Sequence, residues 1–175
     1  MLLIQMTGLS GAGKSTISQA AKNILTQLGF KVELLDGDDY RQHLCRDLGF
    51  SKADRLENIR RLGFVGLTLA KHDVIAILAA INPYEEARAA LRQKSPNVKT
   101  VFVDCPLSIT TERDTKGLYR KALLPDNHPE HIGHFTGISD PYEPPLNPDL
   151  ILATHTQSIT DSTAALVAFI LKSIH

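Results

Sequence analysis

Gly8-Leu9-Ser10-Gly11-Ala12-Gly13-Lys14-Ser15 decides how the rest of the chain is read. The stretch fits G-x-x-x-x-G-K-[ST], in which glycines let the backbone fold tightly enough to aim several N–H groups at phosphate oxygens. Its flanks agree with that reading. Leu2-Leu3-Ile4-Gln5-Met6 has strand character before the loop. After it Ile17, Ala20, Ala21, Ile24, Leu25 and Leu28 recur at helical spacing on one face, and Gly29 is placed to end the helix. The loop therefore sits at a helix N-terminus, where the dipole and unpaired N–H groups favour an anion. There Lys14 can reach the β and γ phosphates of a nucleoside triphosphate, and Ser15 can ligate Mg²⁺.

Working outward, the chain of 175 residues is long enough for one domain with a substantial core. Lys and Arg number 19, as do Asp and Glu, so the net charge of zero gives no electrostatic reason to expect nucleic acid or an acidic membrane as partner. Cys45 and Cys105 form no C-x-x-C pair and read as buried reduced thiols. The longest apolar run, Val74 to Ile81, is too short to span a bilayer, and the N-terminus lacks the features of a signal peptide. A cytoplasmic protein is expected.

Val32-Glu33-Leu34-Leu35 reads as a second strand running into Asp36-Gly37-Asp38-Asp39. Carboxylates at the C-terminal end of a parallel strand lie where ligands bind in open α/β sheets, so Asp36 and Asp38 are candidates for metal or hydroxyl work. A short helix is expected from Tyr40 to Leu48. Ser51 then reads as the N-cap of a longer helix, with Asp54 completing a near capping box and Leu56, Ile59, Gly63, Gly66, Leu67 and Ala70 on its buried face. Beside that stripe Arg55 and Asn58, one turn apart, can point together into a cleft, although Arg55 taken alone reads as a surface arginine. Glu57 and Arg61 read as an exposed pair.

Val74 to Ala80 is expected to be a central strand, Glu85 to Lys94 a helix, and Thr100 to Val103 a strand ending at Asp104. Asp104 thus competes with Asp36 and Asp38 for the place near Mg²⁺, a contest the residues alone leave open. A short helix from Ser108 to Asp114 leads into the basic stretch Lys116 to Lys121, which can fold over phosphates as a lid. Residues 123 to 148 read as a long functional loop with Phe135-Thr136-Gly137-Ile138 as its aromatic turn. His128, His131 and His134 read as loop surface rather than a metal site. Leu150 to Ala153 is the last expected strand, and Ser158 to His175 a closing helix.

Together these motifs resemble adenylyl-sulfate kinase over almost the whole chain. The resemblance rests on Gly8 to Thr16; on Leu35-Asp36-Gly37-Asp38 with Arg41; on Asp47 to Ser51 with Asp54-Arg55 and Glu57 to Arg61; on Val103 to Leu107; on Arg113-Asp114 with Lys116 to Tyr119; and on Phe135 to Ile138 with Asp140 to Pro145. It implies an α/β fold of the three-layer P-loop NTPase type, with a mainly parallel central sheet flanked by helices. Residues 1–175 would form a single kinase domain, with a lid at about 116–134. The implied reaction is transfer of the γ-phosphoryl of ATP, with Mg²⁺, to the 3′-hydroxyl of adenylyl sulfate. Lys14 and Asp38 would be catalytic. Gly8, Ser10, Gly11, Ala12, Gly13, Lys14, Ser15 and Thr16 would hold ATP, Arg113 would lie against its adenine, and Ser15 with Asp36 would hold the metal. Phe50 and Phe135 would sandwich the acceptor adenine, Arg41, Arg55 and Asn58 would hold its phosphosulfate and ribose, and Ile81 and Lys116 would complete the acceptor site. A homodimer is implied, and physical association with a sulfurylase is left open.

The chain departs from the family pattern at Asn82 and Glu85, where serine and arginine are usual around Pro83-Tyr84, and at Leu123 and the long His-containing connection after it. Two other readings share the phosphate loop: a kinase for another small nucleotide, and a non-catalytic nucleotide-binding module.

Overall fold

The apolar runs become five parallel strands. β1 (Leu3–Thr7), β2 (Val32–Asp36), β3 (Ile75–Ala79), β4 (Val98–Asp104) and β5 (Leu150–Ala153) form one sheet in the order β2-β3-β1-β4-β5. The computed structural model describes residues 1–174; His175, the last residue of the expected closing helix, lies outside them. Around the sheet lie α1 (Lys14–Gln27), α2 (Gly37–His43), α3 (Lys52–Lys71), α4 (Glu85–Arg92), α5 (Leu107–Arg113), α6 (Leu118–Ala122) and α7 (Ile159–Ser173).

Strand side chains alternate between two faces, and each face has its own core. Leu2, Ile4, Met6, Ile75 and Ile77 pack with Ile17, Ala21 and Leu25 of α1 and with Leu166 and Ile170 of α7. On the other face Leu3, Leu35, Ala76 and Leu78 meet Ile59 and Leu62 of α3 and Ala87 and Leu91 of α4. The result is the expected three-layer α/β fold. Each fully buried aliphatic side chain contributes about 1.5–3 kcal/mol, so two faces of such residues carry the sheet. The expected close approach of α3 is present: a Cβ on Gly66 would sit 2.7 Å from Leu3 Cδ1, and one on Gly63 would sit 2.6 Å from Leu91 Cδ1.

Several elements differ from expectation. α2 begins at Gly37 rather than Tyr40 because Asp36 is its N-cap, accepting from Asp38 N–H at 2.9 Å, so the aspartates form a helix start instead of a free turn. The Ser51 capping box forms in full, with Asp54 N–H on Ser51 Oγ and Ser51 N–H on Asp54 Oδ2, both at 3.2 Å. The buried face of α3 includes Arg55, Asn58 and Leu62, while Leu56 and Leu67 are only partly covered. β4 starts two residues early, at Val98, and α4 stops at Arg92. The basic stretch after Lys116 is not bare loop. The Asp114 carboxylate accepts from Tyr119 N–H at 2.9 Å and Arg120 N–H at 3.0 Å, which starts α6, and Tyr119 and Ala122 bury themselves against Phe135.

Candidate active site

The C-terminal ends of the neighbouring strands β2, β3 and β1 open into one cleft of about 1000 Å³. From the β1–α1 loop come Ser10, Gly11, Gly13, Lys14, Ser15 and Thr16. Gly8 and Ala12 lie underneath. Gly8 must be glycine, since a Cβ there would fall 2.5 Å from Val103 O; its N–H donates to Ile81 O at 3.2 Å. Ala12 O accepts from Thr154 Oγ1 at 2.8 Å. Gly13 caps α1 in a left-handed conformation with φ 103°, and the first bond into the helix is Ile17 N–H to Gly13 O. The N–H groups of the first turn are thus left for a ligand.

Lys14 is buried, and its Nζ donates to Gly8 O at 2.8 Å and Leu9 O at 2.7 Å. Burial, with a smaller push from the charge of Lys116, lowers its pKa to about 8. Ser15 Oγ donates to Asp36 Oδ2 at 2.7 Å. A hydroxyl and a carboxylate side by side, next to a phosphate loop, are the hard oxygen donors Mg²⁺ takes, so Ser15 and Asp36 fit the ion. Asp104 does not line the cleft. Asp36 thus stands beside Ser15, and Asp38 faces Lys116, to which it is ion-paired.

The acceptor candidates come from α2, α3 and the residues just before it, the segment after β3, and the lid with its following turn. Asp38, Arg41, Phe50, Arg55, Asn58, Ile81, Lys116 and Phe135 all line the same cleft. Arg41 lies over the Phe50 ring, 4.3 Å from its centroid, and donates to Gly49 O. Arg55 is buried rather than on the surface, because its neighbours are fixed acceptors: Nε donates to Phe50 O at 3.0 Å, and NH2 to His134 O at 2.9 Å and Asp140 Oδ2 at 3.2 Å. Glu57 and Arg61 pair at 2.9 Å, extended by Arg60 and Asp47, and these arginines hold the Glu57 carboxyl down to about 2.

Phe50 is exposed, whereas Phe135 is buried, edge-on to Tyr119 at 4.9 Å between centroids. The turn after Phe135 is closed by Ile138, Ser139 and Asp140 N–H groups on Phe135 O, each at 3.1 Å. Arg113 lies outside the cleft, donating to Thr154 O at 3.0 Å behind the phosphate loop. His128, His131 and His134 have separate partners: Glu130 N–H, Asp126 and Asp140.

Sequence reasoning places Asn58 in the cleft but gives no role there to Asn82 or Thr136. Asn58 Oδ1, Asn82 Oδ1 and Thr136 Oγ1 are buried with no hydrogen-bond partner among the described residues, and all three side chains line the cleft. A buried polar atom left this way is destabilising by about 1–3 kcal/mol, so the two amide oxygens suit a ligand that brings N–H or O–H donors, and the Thr136 hydroxyl suits one that donates or accepts. Asp140, which orients Arg55, lies in a segment that carries the resemblance, but nothing local ties it to an arginine 85 residues away.

Comparison with known proteins agrees with this geometry. The sequence profile of the family described as adenylylsulphate kinase matches residues 1–153. An adenylyl-sulfate kinase of Chloroflexus aurantiacus is 50% identical over 167 residues, covering 95% of this chain and 87% of the relative. That of Synechococcus sp. strain JA-3-3Ab is 51% identical over 158 residues, covering 90% and 87%. The Mycobacterium tuberculosis APS kinase solved in complex with AMPPNP and APS superposes with a TM-score of 0.90 at 38% identity, covering 97% of each chain. Shikimate kinase from Acinetobacter baumannii, at 16% identity and a TM-score of 0.58, shares the fold alone, with 98% of this chain and 94% of that one covered. With a family profile over most of its length and relatives at half identity, the chain belongs to the adenylyl-sulfate kinase family.

Proposed function

We propose that the protein transfers the γ-phosphoryl of ATP to the 3′-hydroxyl of adenylyl sulfate, giving 3′-phosphoadenylyl sulfate and ADP. The observation that carries the reading is the single cleft that joins a phosphate loop to a second pocket of arginines, aromatic rings and orphaned acceptors. A nucleotide with an anionic end, a flat base and hydroxyl donors matches each of those features.

In this reading Lys14 leaves Gly8 O and Leu9 O for the β and γ phosphate oxygens, and the first-turn N–H groups of α1 hold the remaining oxygens. Ser15 and Asp36 would hold Mg²⁺, which when bound neutralises phosphate charge. Arg41 and Arg55 take the phosphosulfate, Phe50 and Phe135 the adenine, Asn58 and Ile81 the acceptor nucleoside, and Arg113 the side toward the ATP adenine. Asp38 orients the 3′-hydroxyl and takes its proton as the new O–P bond forms and the bond to the ADP oxygen breaks, while Lys116 offsets its charge. Positioning and charge neutralisation supply the catalysis, so no nucleophilic side chain is needed. We place the enzyme in the cytoplasm as a single-domain homodimer; no described helix is long and apolar enough to cross a membrane.

A coupled ADP-release assay over a panel of adenosine and cytidine nucleotides tests the reaction. ADP release that depends on adenylyl sulfate is the expected result. Preference for another acceptor, or no turnover at all, overturns it.

A further inference from the structure

Arg88 belongs to no motif, yet it is the largest fully buried side chain among the described residues. A guanidinium taken wholly out of water is destabilising unless every donor is matched. Its countercharge is Glu85, one turn back on α4, with Nε on Oε2 at 3.0 Å. NH2 also pairs with Glu85 Oε2 at 2.9 Å, and the other donors reach three further segments: NH1 to Asn82 O at 2.6 Å and Thr7 Oγ1 at 3.4 Å, and NH2 to Glu143 O at 2.5 Å.

Those segments are the ones that phosphoryl transfer must hold in register. Thr7 ends β1 and leads directly into the phosphate loop. Asn82 follows Ile81 on the cleft wall, in a left-handed conformation with φ 45° that turns its carbonyl inward. Glu143 lies three residues after Asp140, the carboxylate that orients Arg55. A second bond set locks the same junction. Thr7 Oγ1 is 2.9 Å from Ile81 O, 3.0 Å from Asn82 O and 2.9 Å from the Tyr142 hydroxyl. The Thr7 hydroxyl has one proton and both carbonyls can only accept, so Tyr142 is the donor to Thr7. Burial pushes the Tyr142 hydroxyl up to about 12, which keeps that proton in place.

We infer that Arg88, acting with Thr7 and Tyr142, is a positioning residue that sets the distance and angle between the phosphate loop and the acceptor pocket. The inference rests on the proposed reaction for its acceptor. None of the three side chains lies among the groups proposed to touch either nucleotide. Their effect is on the rate of the aligned complex rather than on the binding of either partner.

The test compares wild type with Tyr142→Phe, which removes one hydroxyl without changing shape, and with Arg88→Lys, which keeps the charge but loses the fork. Adenylyl-sulfate-dependent ADP release and acceptor-free ATP hydrolysis are both measured, normalised to the folded fraction from thermal melts. Misalignment on the scale of 1 Å lowers transfer by about a hundredfold. We expect kcat for transfer to fall about tenfold in Tyr142→Phe and about a hundredfold in Arg88→Lys. Both KM values and the acceptor-free hydrolysis should stay within about twofold of wild type. Tyr142→Phe keeps the test decisive if Arg88→Lys folds poorly. Unchanged kcat per folded molecule, a loss confined to KM, or an equal fall in hydrolysis overturns the inference while leaving the reaction standing. Wild-type ADP release that ignored adenylyl sulfate would remove the reaction itself and this role with it.

Discussion

Lys116, at the start of the lid segment, is ion-paired with Asp38, in the first turn of α2, 78 residues earlier in the chain. The ammonium of the lid thus already rests on the carboxylate proposed to receive the acceptor's proton. Asp38→Asn is expected to lower kcat by about 10²–10⁴, the range of a lost general base, while ATP affinity stays near wild type. Lys14→Ala should instead weaken ATP binding, which calorimetric titration reads directly. Near-normal turnover in Asp38→Asn would move the catalytic carboxylate to Asp36, the other aspartate on the cleft.

The depressed pKa of Lys14 gives ATP binding a pH signature. Phosphate oxygens stabilise the ammonium, so its pKa rises from about 8 when the nucleotide binds. Above pH 8 binding therefore takes up a proton, and ATP affinity falls as pH rises. Titrations at about pH 9 in two buffers of different ionisation enthalpy should show that uptake, and Lys14→Ala should abolish it. In the free protein the folded value lies below the 10.5 of an ordinary lysine. The unfolded chain then holds the extra proton between those values, so this one group makes stability rise with pH across that window.

Limited proteolysis should separate two parts of the lid. Tyr119 is buried, its hydroxyl donating to Ser10 O at 2.9 Å, so α6 is fastened to the phosphate loop. Residues 123–134 have no regular element and few buried side chains. Cleavage of the free protein is expected within 123–134 and not within α6, and ADP plus adenylyl sulfate should suppress it. Equal cleavage with and without both nucleotides would count against a closing lid.

Phe50 and Phe135 should respond differently to truncation. Phe50 is exposed, so Phe50→Ala should leave the melting temperature almost unchanged while removing about 1–3 kcal/mol of acceptor binding, the worth of one stacked face. Phe135 also packs on Tyr119, and Phe135→Ala should destabilise the fold by about 3–5 kcal/mol in addition to weakening the acceptor. Apparent ATP affinity should change far less in either. Normal adenylyl sulfate binding with weakened ATP in both variants would reassign the rings to the donor side.

The phosphate loop, the five apolar strands and the glycine stripe of α3 were legible in the sequence because each is a local pattern with one physical reading. The start of α2 was less so, since an aspartate serves equally well as a turn residue and as an N-cap. Arg55 reads as surface until Phe50 O, His134 O and Asp140 surround it, and two of those three come from about 80 residues away. Arg88 is hidden further still. On a helix of alanines, Glu and Arg it looks like a solvated charge, and only the fold brings Thr7 and Glu143 to it.

The strand order β2-β3-β1-β4-β5 divides the molecule's labour along the sheet. β1 is the watershed. Toward β2 and β3 stand Asp38, Arg41, Ile81 and, on the helix between those strands, Arg55 and Asn58; toward β4 and β5 stand Thr154 and Arg113, behind the phosphate loop. The segment carrying Lys116 and Phe135 and the α4 connection from β3 to β4 both cross from one side to the other. Substitutions confined to residues 37–83 and to the segment carrying Lys116 and Phe135 can therefore retune which hydroxyl is phosphorylated while the phosphate loop and Asp36 stay as they are. The acceptor half is the part of this scaffold free to drift.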